Sequence, residues 1–315
     1  MINIFKTEEK NIRQLDFPAI EIGCWVNVVA PTSQEVASLA KLCKIPSDLL
    51  TAALDTEETS HIEIDDKCLL VVVNMAKSSG AFEFDTVPLG IIVTPDLILT
   101  ISTEDLGNLP KSLVSMSSFC TYKRTRLLLQ ILYKSATDFL RCLGLINRRS
   151  NDIESNLRQS MKNEELYQLF DLEKGLTYFL SALRSNRVLI ERLMRLFQNS
   201  QMPEIIKIRE EDKDLMEDVQ IEYNQANEMA LMYSNVLSGM MDAFASIISN
   251  NLNIVMKFLA SVTIILSIPT VIASLWGMNV TVPWGNAPLG FIFVGMIAVV
   301  LGSIATLFLW KKGML

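Results

Sequence analysis

Polar and apolar positions divide this chain into three regimes. Up to about residue 115, short apolar runs are separated by turn residues. "AIEIGCWVNVVA" (19–30), "KCLLVVVNMA" (67–76), "AFEFDTV" (81–87) and "GIIVTPDLILTIS" (90–102) read as strands, because they are rich in β-branched residues and bounded by Gly, Pro, Asn and Asp. Pro95 and Asp96 predict a turn inside the last run. "SQEVASLAKLCKI" (33–45) and "PSDLLTAALDTEE" (46–58) predict short helices, opened by Ser or Pro-Ser. Together these elements predict an α/β domain over residues 1–120.

From 121 to 203 the period changes. Two charged stretches, "RTRLLLQILYKSATDFLRCLGLINRRSNDIESNL" and "EELYQLFDLEKGLTYFLSALRSNRVLIERLMRLFQ", repeat apolar residues at three- and four-residue steps. That spacing predicts an antiparallel helical hairpin, with Pro203 as its boundary. After Glu204 no proline occurs before Pro269, and Gly239 is the one glycine of that stretch. A single very long helix is predicted, its cytosolic part over 204–257. Leu215, Val219, Tyr223, Ala226, Ala230, Tyr233, Leu237, Met240, Phe244 and Ile247 form its apolar face, in heptad steps after Tyr223.

The other face of this helix carries Gly239, Asp242, Ser246, Ser249 and Asn253. The stripe continues through Met256, Ala260, Thr263, Ser267, Thr270, Ser274 and Gly277 in alternating steps of three and four. Small residues at such spacing permit close helix packing. They also suit a wet wall, and continuity with the polar face below favours that second reading. Two spans do not enclose a pore, so such a wall requires several copies around an axis.

The third regime is apolar. Phe258–Leu275 is 18 residues without a charge and Leu289–Trp310 is 22. Each approaches or exceeds the roughly 20 helical residues that cross a bilayer, which predicts a membrane domain over 258–315 with a 276–288 outer loop. Lys257 precedes the first span, Lys311 and Lys312 follow the second, and the loop has no basic residue. The positive-inside tendency then predicts a multi-pass protein of the plasma membrane with both termini cytoplasmic. Trp276, Trp284 and Trp310 fall near the predicted interfaces, where indole is favoured.

Charge and candidate chemistry narrow the function. The net charge of −7 disfavours nucleic acid as a partner and suits cations. The first residues, "MINIFKTEEKNIRQLDF", lack the apolar core of a signal peptide. Cys24, Cys43, Cys68, Cys120 and Cys142 are odd in number and form no CxxC pair, the pattern of reduced cytosolic thiols. His61, the single histidine, lies in the strand-like "SHIEIDD" and suggests a surface or half-buried structural role. No phosphate loop, nucleophile elbow or nucleophile–base set occurs, so neither an enzyme nor an organic cofactor is expected.

The loop between the spans begins Gly277-Met278-Asn279. "GMN" at the end of the first of two C-terminal spans, an aromatic before it (Trp276), "NIVMKFLASVTIIL" entering the span, "IPT" within it and a basic tail resemble the CorA family of magnesium channels. The α/β domain, charged hairpin and long helix stand in the family's order. The resemblance implies a homopentameric funnel that conducts Mg²⁺, with Co²⁺ and Ni²⁺ as further candidates, and lipid as its surroundings. Gly277, Met278 and Asn279 would form the selectivity mouth. Amide oxygens suit an ion that sheds water reluctantly, Gly277 would permit the turn, and Met278 would pack. Asn279 alone also reads as a helix C-cap.

Carried over by position, Asn253, Met256 and Leu259 fall where the family narrows its inner pore, although the stripe prefers Ala260 to Leu259. Thr263 continues the pore wall. Ser267 falls where some relatives have a bulky Met, and Thr270 and Ser274 match small or hydroxyl-bearing pore positions. Asp242 falls at the cytosolic entrance, where an acidic ring gathers cations. The outer loop lacks the glutamate of some relatives, which leaves cation capture to Asn279 and Asn286. Asp218 corresponds to an acid that helps hold regulatory cytosolic Mg²⁺ between neighbours, with Glu83 and Asp85 as partner candidates; a solvated acidic face is the other reading. The alternatives to a Mg²⁺ channel are a Zn²⁺ transporter of the same fold, whose examples tend to change the middle residue of the motif, and a non-conducting, membrane-anchored oligomeric sensor.

Overall fold

The computed structural model describes residues 1–8, 11–55, 59–65, 67–107, 109–116, 118–160, 163–198, 205–283, 285 and 288–314. Pro203, Trp284 and Asn286 lie outside them. The chain forms two compact units, Met1–Met240 and Met241–Leu315.

Seven strands make the sheet of the first unit: β1 (Ile2–Glu8), β2 (Asn11–Leu15), β3 (Cys24–Val29), β4 (His61–Asp65), β5 (Cys68–Ser78), β6 (Phe84–Val93) and β7 (Ile98–Ser102). Their order is β2-β1-β3-β7-β6-β5-β4. Only β3 and β7 pair in parallel, through Trp25↔Ile98 to Val29↔Ser102. The central strands are apolar on both faces because both faces are covered. Leu70, Val72, Ile92, Leu99 and Ile101 join Leu39, Leu49 and Leu50 from α1 (Ser33–Cys43) and α2 (Ser47–Ala52) in one buried cluster. The opposite face of β5 and β6 receives α4 (Arg124–Ser160) and α5 (Asn163–Gln198). Phe139 and Phe179 are fully buried there, their rings 5.1 Å apart and nearly perpendicular.

The predicted strands shift in detail. "AFEFDTV" and the start of "GIIVTPDLILTIS" form one strand, β6, running through Pro88. Proline is tolerated because β6 pairs with β7 only from Leu89 onward, so no ladder donor is lost on that side. The turn at Pro95–Asp96 is as expected, closed by Thr94 N–H donating to Leu97 O at 3.0 Å. The β1–β2 hairpin and the short α3 (Leu109–Val114) were not anticipated. Helix α1 is capped by Thr32, in a capping box with Glu35, rather than opened by Ser33. Helix α2 ends at Ala52, earlier than expected.

One polar clasp holds α5 to the sheet. Asn186, fully buried, accepts from Asn74 N–H at 3.0 Å and donates to Asn74 O at 2.9 Å. Strand β4 pairs with β5 only as far as His61↔Val72. The Asn186 amide therefore supplies the backbone partner where the neighbouring strand has ended.

Helix α6 (Glu210–Trp276) is the single long helix expected, with Pro269 inside it. Its predicted apolar face is real in the first unit: Val219, Tyr223, Ala226, Ala230 and Leu237 are buried. In the second unit the remainder of α6 is followed by α7 (Gly290–Lys311). Both helices are long and apolar enough to cross a membrane.

Candidate functional site

The second unit contains most of the residues singled out for an ion path. Along α6, Ser261, Val262, Ile265, Ile268, Ile272 and Trp276 are the shielded positions between 258 and 276. Their spacing is that of one helical side. On α7 the shielded positions are Gly290, Val294, Ile297, Ala298, Gly302, Ala305, Thr306 and Leu309. Ile272 and Trp276 share an apolar cavity of about 230 Å³ with Val294 and Ile297, and Ser261 Oγ donates to Met314 O at 3.0 Å. This is the side of α6 that meets α7.

The polar stripe occupies another side. Asp242, Asn253, Met256, Leu259, Thr263, Ser267, Thr270 and Ser274 are all exposed. Thr263 is two residues from Ser261 and from Ile265; Ser274 is two from Ile272 and from Trp276. Two residues turn about 200° around a helix, so the stripe faces away from α7. Close packing against the chain's own second span does not account for these small residues. Leu259 and Ala260 are both exposed, so either position is open to line a path.

Three hydroxyls of the stripe are committed as donors. Thr263 Oγ1 donates to Leu259 O at 2.8 Å, Ser267 Oγ to Ile264 O at 2.9 Å, and Thr270 Oγ1 to Leu266 O at 2.9 Å. Each oxygen keeps acceptor capacity toward its open side. A surface of acceptors suits the hydrogens of a hydrated cation.

At the end of α6, Gly277 N–H donates to Ala273 O at 2.9 Å. Gly277 lies in the turn that ends α6, without a left-handed backbone. A Cβ at this position would lie 3.2 Å from Ala273 O, so close approach is what favours glycine. Met278 and Asn279 are exposed. Asn279 is not left-handed either, which removes the αL helix cap as its explanation. Trp276 Nε1 donates to Pro283 O at 3.3 Å and ties the loop to the helix end.

The acids proposed for regulation belong to the first unit. Asp218 on α6, Asp85 on β6 and Glu83 just before β6 are exposed. Asp85 Oδ1 accepts from Thr86 N–H at 2.8 Å. Among the described residues, no group of three or more His, Cys, Asp or Glu side chains in one chain is arranged to hold a metal ion. These acids are therefore not brought together within a single chain. All five cysteines are buried, and none forms a disulfide. His61 is half-buried, its Nδ1 2.9 Å from Thr59 O.

An α/β sheet domain, a helical hairpin and one long helix continuing to a membrane-length pair define a two-span membrane transporter. The chain belongs to the CorA-like Mg²⁺ transporter family, whose model matches residues 21–312. It is a transport family, and the protein is not an enzyme. The chain is 29% identical over 285 residues to the cobalt/magnesium transport protein CorA of Methanocaldococcus jannaschii, covering 88% of this chain and 86% of that one. The complete structure of the CorA magnesium transporter from Methanocaldococcus jannaschii matches with a TM-score of 0.83 at 25% identity, over 100% of this chain and 99% of that chain. The ZntB cytoplasmic domain from Vibrio parahaemolyticus shares the fold at 13% identity and a TM-score of 0.59, covering 79% of this chain and 96% of that chain.

Proposed function

We propose that copies of this chain form a homopentamer whose α6 helices surround a pore for hydrated Mg²⁺, with Co²⁺ and Ni²⁺ as further permeant ions. The observation that carries this reading is the exposed, oxygen-bearing stripe on the side of α6 turned away from α7. Each chain supplies one wall, and a closed ring of copies supplies the others. Mg²⁺ gives up its waters reluctantly, so acceptors that bind the ion's shell conduct better than ligands that strip it. Rings of Asn279 amide oxygens at the outer mouth and of Asp242 carboxylates at the inner entrance fit those needs. Asn253, Met256 and Leu259 form the narrow inner section.

Membrane potential supplies the drive. One charge moved through 100 mV is worth about 2.3 kcal/mol, so a divalent ion gains about 4.6 kcal/mol by the same rule. Lys257, Lys311 and Lys312 set both termini in the cytoplasm, and the potential therefore favours uptake. Cytosolic Mg²⁺ held by Asp218 of one copy with Glu83 and Asp85 of its neighbour stabilises a closed ring. Loss of that ion leaves acids repelling one another and shifts the population toward the open ring.

The test is potential-driven Mg²⁺ entry into liposomes containing the purified protein, beside Asn279→Ala. Entry with the parent that collapses in the variant supports the pore and its mouth. Absence of flux from a folded oligomer, with low Mg²⁺ on both sides before the pulse, favours a non-conducting sensor. A preference for Zn²⁺ over Mg²⁺ in the same assay would replace the substrate.

A further inference from the structure

A cavity of about 60 Å³ opens between the start of α4, residues 205–209 and the first turn of α6. Lys123, Arg124, Arg126, Lys207 and Arg209 all line it, in a protein whose net charge is −7. Three carboxylates oppose these five cations: Glu211, Asp212 and, beside Arg124, Asp96. Glu211 Oε1 is 2.7 Å from Lys123 Nζ and 3.8 Å from Arg209 Nη1. Asp212, buried, has Oδ1 3.4 Å from Arg126 Nη1, while its Oδ2 accepts from Arg209 N–H at 3.0 Å. Lys207 has no ion-pair partner among the described residues. The cavity keeps an excess of positive charge.

The placement of that charge is locally unfavourable. The first turn of α4 has no acidic residue and instead carries Arg124 and Arg126, with Lys123 just before it. Helix N-termini favour anions, and cations there are repelled by the macrodipole. Arg124 is half-buried, donates to Thr94 O, and is held below its ordinary pKa by desolvation. Glu211, Asp212 and Asp96 relieve only part of this strain. An anion with several acceptor oxygens would relieve the rest, because the donors arrive from two segments, the start of α4 and residues 205–209. Guanidinium forks and lysine ammonium groups together match a phosphoryl group.

We propose that this cavity binds a soluble phosphate-bearing anion, with Lys207 and Arg209 at its mouth and Arg124 and Arg126 deeper within. The feature is independent of the ion path, since it lies wholly within the first unit.

The experiment is calorimetric titration of inorganic pyrophosphate into the purified full-length protein in Mg²⁺-free buffer, at ionic strength matched with sodium chloride. The expected result is saturable binding at one site per chain. Lys207→Gln and Arg209→Ala should each weaken it by about tenfold, the loss of one charge-assisted contact. Both side chains are exposed, so unchanged unfolding midpoints are expected and should be measured alongside. Lys111→Ala, on an exposed position of α3 outside the cavity lining, should leave binding intact. No binding, binding that disappears in the chloride-matched buffer, or equal affinity in the Lys207 and Arg209 variants would overturn the proposal. Binding is read directly rather than through flux, so failure here leaves the pore reading untouched.

Discussion

The hydroxyl of Thr263 donates to the carbonyl of Leu259 at 2.8 Å, one helical turn earlier on α6. The same back-bonding recurs from Thr270 to Leu266. Both oxygens are held with their acceptor side available on an exposed face. Thr263→Val or Thr270→Val keeps the shape and removes the acceptor. One lost hydrogen bond is worth about 1 kcal/mol, so Mg²⁺ flux should fall by roughly fivefold, while Thr→Ser at either position retains it. Unchanged flux in both valine variants, measured in liposomes at fixed potential, would remove these hydroxyls from the pathway.

Asp218 is exposed on α6 and belongs to no metal-holding group among the described residues of its own chain. If it holds a closing ion between copies, Asp218→Asn should leave the fold intact and blunt inhibition by internal Mg²⁺. Loading liposomes with graded Mg²⁺ should shift the half-inhibiting concentration upward, by about tenfold for one lost carboxylate contact. An unshifted inhibition curve would assign the regulation elsewhere.

Asn186 satisfies both backbone groups of Asn74 where β4 no longer pairs with β5. Asn186→Leu leaves the Asn74 N–H without its partner, while Asn74 O still accepts from Ser135 Oγ at 3.3 Å. The expected destabilisation is about 1–3 kcal/mol, the cost of one unsatisfied polar group. Denaturant melts followed by circular dichroism would measure it, and Ser185→Ala nearby should cost less.

Burial pushes the Cys43 thiol up to about 12 and the Cys142 thiol up to about 11. At pH 8 neither forms appreciable thiolate in the folded protein, so aromatic disulfide reagents should label them only after unfolding. In the unfolded chain these thiols lose their protons near the ordinary value of 9.0. Above that pH the unfolded state binds fewer protons than the folded one, and stability should fall as pH rises from about 9 toward 12. Rapid labelling of all five cysteines at pH 8 in the native protein would contradict the buried arrangement.

Local periodicity made much of this architecture legible. The two membrane-length helices follow from uncharged runs, and the apolar side of α6 follows from heptad spacing at Val219, Tyr223, Ala226 and Ala230. The acceptor stripe from Asp242 to Ser274 is likewise a matter of helical phase. Strand boundaries were less legible. "INIFKTE" buries only Ile4 of its residues fully, so its alternation is faint and the β1–β2 hairpin went unseen. The runs 81–87 and 90–102 read as separate strands, yet residues 84–93 form one strand through Pro88, because β7 ends its pairing one residue away.

By itself, the sequence determined that an α/β body precedes one long helix and two spans, and that the first span carries oxygen-bearing residues on a single face. Each of these depends on neighbours within a turn or two, where backbone geometry alone sets which residues share a side. Tertiary structure decided that Ser261, Ile265, Ile268, Ile272 and Trp276 are the positions shielded beside α7, leaving the oxygen-bearing face open. It also joined Asn186 to Asn74 and Arg126 to Asp212, pairs separated by 112 and 86 residues. Such pairings answer to unsatisfied backbone groups and to charge left over at a helix end, conditions that arise only once distant segments have been packed together.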